Sequence, residues 1–196
     1  MKAVGIIVAM LHRKLICCLL VGLTISPMAY LGGLQLTGNF HAVVAHEVYR
    51  AAQPDADDLT NYVRDYGIKA VVNLRGAHPG EAWYDQEIRA SQTLGLTHVD
   101  LPLSAKRELT DANIIMLRKI LRSTPRPLLL HCKSGSDRAG LAAAVYLLDV
   151  QHVPALQAAR QLSWTYGHLP YWGSRTVAMD RSFTHIVDLY SPPAGQ

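Results

Sequence analysis

Polarity along the chain falls into two regimes. Leu15 to Leu36, LICCLLVGLTISPMAYLGGLQL, runs for 22 residues without an Asp, Glu, Lys or Arg, and a bilayer core takes about 20 apolar residues as helix. This run predicts a transmembrane anchor over residues 15–36. A cleaved signal peptide is the alternative, since Lys2, Arg13 and Lys14 form a basic leader, but the run is longer than such segments usually are and lacks an A-x-A-like cleavage site. A buried core helix fits less well, because Gly22, Pro27, Gly32 and Gly33 are tolerated better in a membrane span. Basic residues precede the run, and only Arg50 follows closely. The expected topology is therefore a single-pass membrane protein with a cytoplasmic N-terminus and an extracytoplasmic domain, periplasmic in a bacterium.

Beyond the run the periodicity changes. HAVVAHEVYRA, from His41, reads as a strand or strand pair ending at the turn-like Gln53-Pro54. PDADDLTNYVRDYG places acids in its first turn, Leu59, Tyr62, Val63 and Tyr66 on one face, and Gly67 at its end, so it predicts a helix. IKAVVNL, 68–74, is the near-continuous apolar run of a buried parallel strand. The unit then recurs: a helix around 81–94, a strand LTHVDL from 96, a loop PLSAKREL, and a helix from Thr110 with Ile114, Leu117 and Leu121 aligned. The strand PLLLH, 127–131, leads into CKSGSDR and then the helix AGLAAAVYLL, with further helices near 154–167 and 176–190. Strands and helices alternating at this length predict an α/β domain with a central, mainly parallel sheet flanked by helices. The predicted division is a basic segment 1–14, the anchor 15–36, one domain 37–191 and a tail 192–196.

Composition supports the division: 49% hydrophobic against 17% charged is high for a small domain, and the excess sits in the N-terminal run. A net charge of +4 without a clustered basic stripe argues against a nucleic-acid partner. The three cysteines, at 17, 18 and 132, do not form a disulfide framework, and Cys132 stands alone in its domain. Eight of the histidines, at 12, 41, 46, 78, 98, 152, 168 and 185, are scattered without metal-ligand spacing. No metal or other cofactor is expected. Trp164, Tyr166, Tyr171 and Trp172 read as core.

The segment His131-Cys132-Lys133-Ser134-Gly135-Ser136-Asp137-Arg138 lies between a buried strand and a helix, where open α/β sheets bind ligands. A loop wrapped there turns backbone N–H groups inward and adds a helix dipole, so it holds a phosphate dianion. The same field favours a thiolate. Arg138 supplies a planar fork for two phosphoryl oxygens. Lys133 through Arg138 are the predicted phosphate-binding residues. Cys132 is the predicted nucleophile, attacking phosphorus to give a cysteinyl-phosphate that water hydrolyses.

Residues 131–138 match H-C-x5-R in full, and the chain resembles the cysteine-based protein tyrosine and dual-specificity phosphatases, of the bacterial dual-specificity-like type. NFHAVVAHEVYRAAQP, VVNLRG and LPLSA extend the likeness loosely over residues 39–150. The resemblance implies a metal-free phosphomonoesterase that often acts on phosphotyrosine. Phosphoinositides, inositol phosphates and other non-protein phosphomonoesters are alternative substrates, and Lys133 matches the H-C-K of lipid-phosphate members. The residue after the arginine is usually Ser or Thr in this family; here it is Ala139. Hydrolysis of the phosphoenzyme is then expected to slow, unless Ser134 or Ser136 substitutes. A phosphate-binding pseudoenzyme is the rival reading. Rhodanese-type sulfur transfer fits poorly, because that family's loop is typically shorter.

The resemblance also calls for a proton donor, and the chain has no W-P-D tripeptide. Asp137 matches the loop aspartate of myotubularin-like and some bacterial phosphatases, with a salt bridge to Arg138 as its structural alternative. Asp100, 32 residues before Cys132, has a spacing similar to dual-specificity enzymes. Glu108 lies in the loop PLSAKREL, and Asp111 resembles a helix first-turn residue beside an N-capping Thr110. Asp137 is favoured, then Asp100. His131 is expected to orient the loop, since a thiolate needs no base. Arg75, after VVNL, is either a substrate contact or a surface charge.

Overall fold

The computed structural model describes residues 28–171 and 173–190 and divides between Leu36 and Thr37. Residues 28–36 are helical. The expected anchor is corrected here: among the described residues no helix is long and apolar enough to cross a membrane. Residues 15–27 of that expectation, with Cys17 and Cys18, lie outside the described residues, as do Trp172 and the expected tail. The single-pass topology and extracytoplasmic placement rested on the span and fall with it.

From Thr37 on, five strands form one sheet in the order β1-β2-β5-β3-β4. They are β1 (His41–Val44), β2 (Val48–Ala51), β3 (Ala70–Asn73), β4 (Thr97–Asp100) and β5 (Leu128–His131). The helices are α1 (Ala56–Tyr66), α2 (Ala82–Thr93), α3 (Asp111–Ser123), α4 (Asp137–Asp149), the short α5 (Ala155–Ala158) and α6 (Val177–Tyr190). The mainly parallel sheet is corrected to a mixed one. β2, β5, β3 and β4 run parallel, but β1 is antiparallel to β2. A turn over residues 45–47 joins these two strands, and a link that short permits only the antiparallel return.

Side chains alternate across the sheet. Val48, Ala70, Val72, Leu128 and Leu130 pack with α3, α4 and α6, while Tyr49, Val71 and Leu129 pack with Leu59 and Tyr62 of α1. Helix starts and stops follow local chemistry. Asp55 and Asp58 form a capping box at the head of α1, Gly67 closes it at φ 66°, and the Thr110 side chain caps α3. The helix expected over 154–167 is instead α5 followed by two 3-10 turns, Ala159–Gln161 and Trp164–Tyr166. Its continuation is interrupted where Leu162 leaves the helical region (φ −99°, ψ 74°) and Ser163 is extended. The Gln161 carbonyl is drawn off as an acceptor for Arg50.

Candidate active site

The parallel register brings the C-terminal ends of three strands level: Ala51 and Asn73 flank His131. Residues 132–136 leave this edge as a loop and enter α4 at Asp137. Four consecutive loop carbonyls are held from the protein body. Lys133 O accepts from Gln53 N at 3.3 Å, and Ser134 O accepts from Asn39 Nδ2 at 2.9 Å. Gly135 O and Ser136 O accept from Arg50 Nη2 at 2.7 and 2.9 Å. In a trans peptide the N–H points opposite to the C=O. Pinning these carbonyls therefore turns the N–H groups of Ser134, Gly135, Ser136 and Asp137 away from the body, that of Ser136 donating to Ser134 Oγ at 3.5 Å, an arrangement suited to an anion.

Arg50 organises this geometry. It is fully buried at the inward-facing position of β2 two residues after Val48, and its Nη1 also donates to Gln161 O at 2.6 Å and Oε1 at 2.9 Å. Its guanidinium lies 4.2 Å from the Tyr166 ring centre. Burial pulls its pKa down to about 10, and electrostatic interactions with Cys132, Tyr166 and Asp137 oppose that pull. Two glycines make room. A Cβ on Gly135, at φ 73°, would stand 2.7 Å from the Ala51 and Ala52 backbone. One on Gly140 would stand 2.8 Å from Gln161 O and 2.9 Å from Arg50 Nη2.

Cys132 is buried at the floor of the loop, with its N–H on Ala51 O at 3.4 Å. Behind it His131 is fully buried and its Nε2 donates to Glu87 Oε1 at 3.0 Å. Glu87, projecting from α2, also accepts from His98 Nε2 at 2.7 Å and from the Gln53 side chain. Burial alone would raise the Glu87 pKa, but the hydrogen bonds from His131, His98 and Gln53 outweigh it and hold the value at about 2. His131 is thus oriented by a fixed carboxylate.

Arg138 reaches back to Leu74 O at 3.4 Å and Leu103 O at 3.2 Å through Nη1, while its buried Nε has no protein acceptor. Arg75 stacks 3.3 Å over Trp83, donates to Gln53 Oε1 at 2.7 Å, and feels both Arg138 and Cys132. Ser136 Oγ lies 3.5 Å from Ser134 O. Lys133 is exposed, and Ala139 is buried.

The four carboxylates considered as proton donors separate clearly. Both oxygens of Asp100 are occupied as acceptors, by Asn73 Nδ2 at 2.8 Å and Tyr84 OH at 2.6 Å. Glu108 pairs with Arg181 at 3.4 Å and Asp111 with His185 at 3.0 Å. Asp137 sits in the first turn of α4 with its Oδ1 2.7 Å from His168 Nδ1. Its partner is His168 and not Arg138.

Arg50 was legible only as a charge on the inward face of a buried strand. Asn39, Gln53, Glu87 and His168 carried no sequence signal, because each is defined by a partner far along the chain.

A buried cysteine and a tethered arginine thus stand at the two ends of one C-x5-R loop between a parallel strand and a helix. The family model described as "PTP-NADK: DSP-PTPase phosphatase fused to NAD+ Kinase" matches residues 38–168, and the chain belongs to this family. It is 34% identical over 107 residues to the dual specificity protein phosphatase TpbA of Pseudomonas aeruginosa (strain UCBPP-PA14), covering 53% of this chain and 44% of that protein. It is 30% identical over 101 residues to a beta-lactamase hydrolase-like protein of Xylella fastidiosa (strain Temecula1), covering 50% of this chain and 23% of that one. The chain thus spans less than half the length of these curated relatives. The crystal structure of P. aeruginosa TpbA shares the fold, with TM-score 0.59 and 22% identity over 80% of this chain and 92% of that one. The core catalytic domain of the S. cerevisiae PP-IP phosphatase SIW14 does so with TM-score 0.57 and 16% identity, over 77% and 91%.

Two measurements test this geometry. Arg50→Lys keeps the charge but cannot serve Gly135, Ser136 and Gln161 together, so orthovanadate binding should weaken at least about tenfold and the melting temperature should fall. Wild-type vanadate affinity would show that the loop holds its own shape. Glu87 has a folded pKa depressed to about 2. Its contribution to stability is therefore complete above the ordinary carboxylate range and is lost as pH falls from about 5 towards 2. Urea midpoints over that range should drop in the wild type, with a smaller drop in Glu87→Gln.

Proposed function

We propose that this domain hydrolyses phosphomonoesters, aryl phosphates such as phosphotyrosine among them, through a cysteinyl-phosphate on Cys132. The observation that carries the reading is the run of four pinned carbonyls, which aims successive N–H groups at an anion beside Cys132 and the unpartnered Nε of Arg138. Donors fixed in advance stabilise charge that spreads in the transition state without reorganising during it. Likeness to TpbA, which has been crystallised in complex with pTyr, supports the aryl phosphate.

The thiolate of Cys132 attacks phosphorus; the S–P bond forms as the bond to the leaving oxygen breaks, and Asp137 gives that oxygen its proton. Water then attacks the phosphocysteine, Asp137 takes up the proton of the water, the S–P bond breaks, and the thiolate returns. Lys133 to Arg138 bind the phosphoryl group throughout. Asp137 is preferred over Asp100 because both Asp100 oxygens are already engaged in holding Asn73 and Tyr84. Ala139 places no hydroxyl beside the sulfur, so the second step is the slow one.

The whole chain should turn over nitrophenyl phosphate equally with and without EDTA. Cys132→Ser should reduce that rate by at least about a thousandfold. A rate in Cys132→Ser equal to wild type would overturn the mechanism. An initial burst close to one equivalent before a slower steady rate would locate the slow step at phosphoenzyme hydrolysis, and Ala139→Ser should then raise the steady rate.

A further inference from the structure

His168 is fully buried, and both of its ring nitrogens face carboxylates: Nδ1 lies 2.7 Å from Asp137 Oδ1 and Nε2 lies 2.9 Å from Asp180 Oδ2. The three residues come from the head of α4, the stretch after the second 3-10 turn, and α6. A carboxyl oxygen that bears no proton only accepts, so an imidazole held between two of them donates from both nitrogens and is cationic. Burial works against that charge, and the hydrogen bonds to Asp137 and Asp180 overcome it, raising the His168 pKa.

The stretch carrying His168 is stapled to the phosphate loop independently. Asn39 Nδ2 donates to both Ser134 O and Tyr166 O at 2.9 Å, and Arg50 bridges Gln161 to Gly135 and Ser136. Gly167, at φ 79°, then turns the chain, and His168 N closes on Ser163 O at 3.1 Å. These contacts fix the backbone without the side chain of His168. The charged triad therefore does something further: it sets one carboxylate.

We propose that His168 and Asp180 are positioning residues for the proton donor, clamping Asp137 through Oδ1 and leaving Oδ2 as the atom that carries the transferred proton. The inference rests on Asp137 being that donor. The proton moves from Asp137 Oδ2 to the leaving oxygen as the P–O bond breaks; His168 keeps both of its protons and sits beside the new carboxylate, with Asp180 as its counter-charge.

The test uses the whole chain and two substrates, nitrophenyl phosphate, whose phenolate leaves without help, and phenyl phosphate, whose phenolate needs a proton. For His168→Gln, kcat/KM on phenyl phosphate should fall about 10- to 100-fold, a share of what general acid catalysis contributes, and on nitrophenyl phosphate by no more than about threefold. Asp180→Asn should show the same bias to a smaller degree, and Asp137→Asn to a larger one. An equal loss on both substrates, or no loss on either, would overturn the proposal. If His168→Gln lacks a cooperative melt, Asp180→Asn decides by the same criterion. If Asp137→Asn itself loses activity equally on both substrates while Cys132→Ser stays inactive, the donor assignment and this inference fail together and the phosphatase reading stands.

Discussion

A single buried guanidinium holds this site in shape. Taking an arginine out of water costs several kcal/mol unless acceptors surround it, and Arg50 finds four oxygens: two loop carbonyls and both acceptors of Gln161. The requirement works in both directions. The charge needs the carbonyls, and carbonyls so held leave their N–H groups for an anion. Gly135 and Gly140 follow from the same constraint, since a side chain at either would collide with the strand edge or with the Arg50 bridge.

A second layer sits behind Cys132. Glu87 gathers His131, His98 and Gln53, while Gln53 also meets Arg75 through its side chain and Lys133 through its backbone. The residue that orients the strand end is thereby wired to the rim of the loop. Asp100, with Asn73 and Tyr84, belongs to the adjoining strand ends. Charge at this edge is compartmented: carboxylates that look equivalent in the sequence meet different partners, and of the four considered only Asp137 adjoins the loop, in the first turn of α4.

Much of this was readable in advance. The alternation of strands and helices follows from turn glycines, capping residues and apolar runs, each a local signal, and Cys132 and Arg138 lie within seven residues of one another. Errors arose where partners decide. The hairpin makes the sheet mixed, the interrupted helix after α5 gives up a carbonyl to Arg50, and a long apolar run at the N-terminus did not yield a spanning helix among the described residues. The settings of the four carboxylates are fixed by Asn73, Tyr84, Arg181, His185 and His168, none of which is a sequence neighbour of the acid it meets.

The bridge from Arg50 to Gln161 joins residues 111 positions apart, and Asn39 reaches Tyr166 across 127. Contacts of that span close large loops and cannot form before both ends of the chain are present. A nascent chain synthesised only as far as the H-C-x5-R segment already carries the whole signature but lacks Gln161, Tyr166 and His168, which hold its loop in place. The surroundings of Cys132 are therefore completed late, when the C-terminal segments dock onto the sheet.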